Sequence, residues 1–575
     1  MRVRAIACLA ASVLVASPVS SQIPVQTQPG APVPGATQTL PPRANSAKTG
    51  TAILRGHVVA ADSGQPLRKA QVRLSPATPT GGLPNVRGTS TDKNGAFEFK
   101  EVAAGRYMLN AEKGSYVALG WGQRRTTDPG TPLEVLDGQT IEKLDFSLPR
   151  GAILTGRIID EFGDAAPDVL VSALRTMVVN GQRRLIQAGR SSTTNDIGEF
   201  RVFGLAPGQY YLSATYRGLS INQESDDRSG YAPTYYPGSP ILPEAQRVAV
   251  ALGQTIADLN MQLVPTRTAR ISGVALDSSG KPLSGAPILI TQRNENLTGG
   301  FTSIAQLRPD GTFTASGLAP GEYNLQSLSS VNTIAGGPEG EFVSATVTVN
   351  GEDINGLQLI GVRPSTITGR IVLPNTAAAG AVTLTTVRLV APSRTPDFGP
   401  APSGTGRIND DFSFEIKSPP GTRVIALNVP PPGWSLKAVR INGVDVTDRG
   451  FEVKPAQDQS GFEIELTNQL TTVSGLVTNA RGEHSTDYTV VFFAQDREKW
   501  QPPNRFFRVG RPDQDGRFKL SGLPAGEYYA IASDSLDPNE TSDPEVLDRI
   551  SGRATSFSLN DGENKVLDLR LTTGL

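Results

Sequence analysis

Positions 204–214 read GLAPGQYYLSA, and near-copies stand at 317–327 (GLAPGEYNLQS), 522–532 (GLPAGEYYAIA) and 101–111 (EVAAGRYMLNA). An active site is normally built once. A phrase repeated at domain-sized intervals marks the same structural corner in copies of one module. Its Pro-Gly or Ala-Gly pair makes a turn, and its Tyr begins the next strand.

Upstream of each phrase lies an Asp/Gly turn that leads to an aromatic: DKNGAF (92–97), DIGEF (196–200), PDGTF (309–313) and DQDGRF (513–518). Such pairs supply the positive φ of a tight hairpin. Further upstream each copy opens on Gly-x-aliphatic, at Gly56, Gly156, Gly273, Gly369 and Gly475. From this Gly to the Gly of the phrase the spacing is 49, 52, 48 and 51 residues in copies one, two, three and five. In copy four the phrase decays to SPPGTRVIALN (418–428), yet Gly369 to Gly421 is still 52. Each copy closes on a turn and an alternating strand, such as DGQTIEKLDFSL (137–148) and LGQTIADLNMQL (252–263). In copy one Ala70, Val72 and Leu74 alternate with Gln71 and Arg73, the period of a half-buried strand.

Short strands with turn signals every ~8–12 residues, in modules of about 100 residues, predict β-sandwiches. The fold class is all-β: a tandem array of five Greek-key sandwiches at 50–148, 149–265, 266–363, 364–468 and 469–575. Only eight to ten residues join each last strand to the next opening Gly, which predicts a semi-rigid string. One short helix is expected at 543–550, with Asp543 as N-cap and Pro544 in its first turn.

These residues resemble the carboxypeptidase regulatory-like domain, clearly in copies one, two, three and five and weakly in copy four. The resemblance rests on G-x-V-x-D-x-x-G-x-P-L, then T-D-x-x-G-x-F, then G-L-x-P-G-x-Y-x-L. It implies a transthyretin-like seven-stranded sandwich, related to collagen-adhesin B-type modules, and an accessory role rather than a reaction. GYAPTYYPGSP (230–240) and 511–532 look like large secreted bacterial proteins built from such domains.

The 575 residues carry 54 Lys+Arg against 55 Asp+Glu, a balance that gives no basic surface for nucleic acid. Residues 1–21 read as a secretion signal: Arg2 and Arg4 precede the apolar run 5–16, with small residues near the expected cleavage at Gln22. That run is too short to span a bilayer, and no later segment is long and apolar enough to do so. Residues 22–49, rich in Pro, Gln and Thr, read as a disordered tether. The chain is therefore expected to be exported, to the periplasm or the cell surface.

Cys8 is the single cysteine and falls within the signal, before most of its apolar run, so it does not suit a lipid anchor. After processing, thiolate ligands, disulfides and cysteine nucleophiles are excluded. His57 and His484 are the two histidines, and neither has Glu three residues on, so the His-x-x-Glu pair of metallocarboxypeptidases is absent. The pattern calls for no catalytic residue, no metal and no cofactor. A pair of carboxylates could still form a glycosidase site, which spacing alone does not settle.

One feature exceeds turn chemistry. Tyr116 and Tyr231 each stand 22 residues before the Gly of a GQT turn, and Trp121 and Tyr236 each stand 17 before it. Arg124 and Arg125 are near in copy one. Aromatic faces beside polar groups suit a sugar or a peptide. The same rings could instead cover a sandwich edge or pack at a joint, as could Trp434 and Trp500. The expected function is non-catalytic binding or presentation, with polysaccharide as first partner class and envelope protein as second. The alternatives are a passive spacer and a hydrolase with a cryptic carboxylate site.

Overall fold

The computed structural model describes residues 50–574 apart from 78–85, 124–129, 180–181, 217–227, 284–286, 294–302, 328–340, 375–386, 395–402, 429, 432, 502–503, 514 and 537–539. The signal, the tether, Arg124 and Arg125 lie outside the described residues. Strands dominate, and they bury five successive cores: Ala52 to Leu148, Ala152 to Leu263, Ala269 to Leu359, Ile367 to Leu466, and Val473 to Leu569.

In the first sandwich one sheet is centred on Ala52–Ala60. It pairs antiparallel with Ala96–Val102 and parallel with Thr140–Ile141 and Phe146–Leu148. The facing sheet runs Arg87–Ser90, Gln71–Pro76, Gly105–Glu112, Leu119–Gly120, with Leu133–Val135 also on Gly105–Glu112. Val72 and Leu74 are buried while Gln71 and Arg73 are exposed, as a period of two requires. The second sandwich repeats this order and the third does so with fewer strands. The closing strand always lies parallel to the opening strand.

That crossing explains the opening Gly. A Cβ on Gly56, Gly156, Gly273, Gly369 or Gly475 would lie 2.2, 2.2, 2.0, 2.0 or 2.1 Å from a carbonyl oxygen of the closing strand. The approach is held from both sides. Leu144, Leu259 and Leu567 donate their amides to Arg55, Thr155 and Ser474. Asp145, Asn260 and Asp568 accept the amides of His57, Arg157 and Leu476.

The repeated phrase is a locked corner. Tyr107, Tyr210, Tyr323 and Tyr528 each donate their hydroxyl to the carbonyl four residues back, at 2.9, 2.7, 2.7 and 2.8 Å. The leading residue sits at positive φ, as Gly204, Gly317 and Gly522 do. In copy four Arg423 takes the Tyr position, is buried, and donates to Pro420 O at 2.7 Å. A different side chain therefore closes the decayed corner.

The last two sandwiches depart from the two-sheet pattern. In the fourth, Gly404–Ile408 pairs with both Arg388–Ala391 and Ser413–Ser418, so strands of the two layers join into one eight-stranded sheet. In the fifth, Leu569–Thr572 bridges the layers. The helix forms at Pro544–Ser551, where Asp543 accepts the Glu545 amide at 2.9 Å. Val546, Leu547 and Ile550 pack it on the outer sheet face with Phe493 and Trp500. The fifth sandwich also returns to the first two: Arg183 donates to Asp543 and Glu545 at 2.9 and 2.7 Å, and Arg106 to the Lys519 carbonyl at 3.0 Å. No described helix is long and apolar enough to cross a membrane.

Candidate functional site

The matched aromatics occupy equivalent places, one set per sandwich rather than one shared site. The amides of Trp121 and Tyr236 donate to Leu109 and Leu212, which are the same position of the repeated phrase. Tyr116 bridges to Arg150, and Tyr231 lies opposite Pro265. Each of those partners stands two residues beyond the last core residue of its sandwich, Leu148 or Leu263. All four rings are half-buried and pack against their own cores.

The loop carrying Tyr116 and Tyr231 clamps the joint to the next sandwich. At the first joint Val117 donates to Pro149 O at 2.9 Å and Gly151 to Ser115 O at 3.0 Å. At the second, Ser229–Ala232 forms a two-stranded ladder with Val264–Arg267. At the third, Phe342 and Val362 exchange both bonds, at 3.1 and 2.8 Å, and Val362 lies in the linker just past the closing strand. Phe342 thus extends the pattern to copy three. Sequence spacing missed it because the loop length before the Gly differs.

An arginine ties each clamp. Arg150 donates to Asp62 at 2.6 Å, with its guanidinium 5.6 Å from the Tyr116 ring. Arg228 reaches Asp353 at 2.6 Å, across to the third sandwich. Arg363 reaches Glu341 at 3.0 Å. The Arg150 bond holds Asp62 below the usual carboxylate range, and the Arg270 amide followed by Arg228 does the same for Asp353. Burial pushes Glu341 up, but Ser278 and Arg363 together outweigh it. Tyr231 donates to Glu161 at 2.7 Å; burial and then that bond raise its phenol.

The fourth joint is built differently and holds an open cavity of about 580 Å³. Arg505 of the fifth sandwich grips Asp448 of the fourth through Nε and Nη2, at 2.7 and 2.9 Å, and donates to the Lys437 carbonyl at 2.8 Å. The walls include the repeated phrase of copy five (Gly522 to Ala525) and the decayed phrase of copy four (Val424 to Leu427), but in sequence each reads only as a turn, and that they face one another is a matter of packing.

The catalytic candidates are dispersed. His57 is exposed beside Asp145 at 3.3 Å, and that carboxylate already accepts the His57 amide at 2.9 Å. His484 is exposed in the first turn of the fifth sandwich. Asp92 and Asp513, of the DKNG and DQDG turns, each spend one oxygen on two turn amides. Among the described residues no three His, Cys, Asp or Glu converge as metal ligands. Trp434 is buried in the core of the fourth sandwich, and Trp500 is buried beneath the helix on the outer sheet face of the fifth.

Residues 53–148 match the profile of the carboxypeptidase regulatory-like domain. No curated protein matches the chain. Among solved structures, the Bacillus anthracis TIE protein is 13% identical over 71% of this chain and 72% of its own, with a TM-score of 0.14. The minor pilin GBS52 of Streptococcus agalactiae is 14% identical over 37% and 96%, at 0.21. The major pilin subunit BcpA of Bacillus cereus is 10% identical over 54% and 99%, at 0.13. At such identities and scores no function is carried across.

Proposed function

We propose that this chain, whose first sandwich is a carboxypeptidase regulatory-like domain, is an exported, non-catalytic array that presents binding surfaces at the cell envelope. The observation that carries the reading is the clamp: the same loop pairs with the linker just past the closing strand at three consecutive joints. A short linker alone permits bending, whereas a linker hydrogen-bonded to the preceding loop has a defined direction. Such bracing serves a scaffold that must hold surfaces apart.

Carbohydrate is the first ligand class for the loops of Tyr116, Trp121, Tyr231 and Tyr236, and protein the second. Half-buried rings keep one part anchored and one part free for contact.

Two measurements test the reading. Spin labels on adjacent sandwiches should give narrow distance distributions, and a Gly-Gly insertion after Pro149 should broaden the first joint alone. Equal breadth before and after would remove the bracing role. For ligand contact, Trp121→Ala with Tyr236→Ala should abolish glycan-array binding. Unchanged glycan binding by a folded double variant would exclude these rings as contacts.

A further inference from the structure

The cavity at the fourth joint is lined by a cation that has no counter-ion among the described residues. Four cationic side chains line it: Lys437, Arg440, Arg505 and Arg508. Lys437 and Arg440 both reach Glu465, at 3.0 and 2.7 Å, and Arg505 is spent on Asp448. Arg508 has no carboxylate partner among the described residues. It donates only to the carbonyls of Phe507, Gly522 and Arg505, at 2.8, 3.1 and 3.4 Å. Three of its five N–H groups are thereby used, so Nε and one Nη2 hydrogen remain.

Leaving a guanidinium desolvated and unpaired is costly. Burial pushes Arg508 below its ordinary value, although a guanidinium stays charged. The cavity's three carboxylates do not relieve it. Asp448 holds Arg505, Asp445 accepts both the amide and the hydroxyl of Thr447 at 2.9 and 2.6 Å, and Asp561 lies 3.9 Å from Lys437.

The remaining walls are aliphatic, with Leu427, Leu436, Leu523 and Pro524 among them, and no aromatic ring lines the space among the described residues. A sugar site would want such a ring. One wall strand, Ala426–Leu427, is the outermost strand of its sheet and so offers backbone groups to an added strand. A free cation, an aliphatic wall and a sheet edge suit an extended peptide whose last residue is apolar and whose carboxylate is free. A volume of about 580 Å³ admits a few residues of such a tail.

We infer that the cavity between the fourth and fifth sandwiches binds the C-terminal carboxylate of a protein partner with an aliphatic tail, with Arg508 as the anion ligand. The clamps of the first three joints play no part in this site, so the two readings fail separately.

The test uses the full mature chain and fluorescent hexapeptides ending in Ala, Val, Leu or Ile, each as free acid and as C-terminal amide, followed by polarisation. At least one acid should bind ten-fold or more tightly than its amide, and Arg508→Gln should remove that difference. Tri-galacturonate, at equal concentration, represents a polysaccharide carboxylate. Equal binding of acid and amide, no peptide binding up to 1 mM, or binding of tri-galacturonate in place of the peptides would each overturn the assignment. If Arg508→Gln does not fold, the acid-to-amide ratio on the unaltered chain decides alone.

Discussion

Gly156→Ala places a methyl group 2.2 Å from the Leu259 carbonyl oxygen and 2.5 Å from its carbon. Carbon and oxygen in contact normally keep about 3.3–3.6 Å apart. The closing strand would therefore have to retreat by about 1 Å. It is not free to do so, because the Leu259 amide is bonded to Thr155 O at 3.1 Å and the Asn260 side chain to the Arg157 amide at 2.9 Å. Overpacking of this kind costs about 1–3 kcal/mol. Weakening the two flanking bonds adds about 1 kcal/mol each. The lower unfolded-state entropy of Ala returns about 0.4–1 kcal/mol. The net expectation is about 3 kcal/mol of destabilisation in the second sandwich. For a domain of this size that is a fall of about 10–20 °C in its melting transition. Gly163→Ala is the control: its φ is +87° and a Cβ there meets nothing within 4 Å, so only backbone strain of about 1 kcal/mol opposes it. Hydrogen exchange read by mass spectrometry on 152–159 localises the effect within the full chain. If Gly156→Ala protects those amides as well as Gly163→Ala does, the carbonyl contact is not what requires the opening Gly.

Tyr323→Phe removes the hydroxyl bonded to Ala319 O at 2.7 Å and leaves that buried acceptor unmet; a loss of about 1–2 kcal/mol in the third sandwich should appear by calorimetry, and a neutral result would mean the corner holds without its lock. Acid should loosen the first three joints. Asp62, Asp353 and Glu341 have lowered native values, so their contribution is complete above the ordinary carboxyl range of about 4 and is lost as pH falls from there through the depressed native values. Inter-sandwich distances measured from pH 7 to pH 2.5 should broaden only below about pH 4; broadening near pH 6 would implicate other groups. Arg183→Glu sets a like charge against Asp543 and Glu545, and hydrogen exchange should rise at 183–193 and 543–550; unchanged exchange would mean that this contact orders neither segment.

The sequence alone determined the all-β class and the repeated module. Turn residues and alternating burial act over a few neighbours, so GLAPGQY, the Asp/Gly hairpins and the Asp543 cap could be read where they stand. The matched spacing of Tyr116 with Tyr231, and of Trp121 with Tyr236, likewise marked equivalent places. Only the tertiary structure decided what those places touch. The clamp at Phe342 escaped notice because its loop has another length. The opening Gly looked like a strand signature until the closing strand was laid parallel across it. Trp434 fell into a core, and Trp500 under the helix, through partners distant along the chain. The Arg508 cavity lay beyond local reading altogether: its walls belong to two sandwiches, and whether an arginine is paired depends on which carboxylates the packing brings within reach.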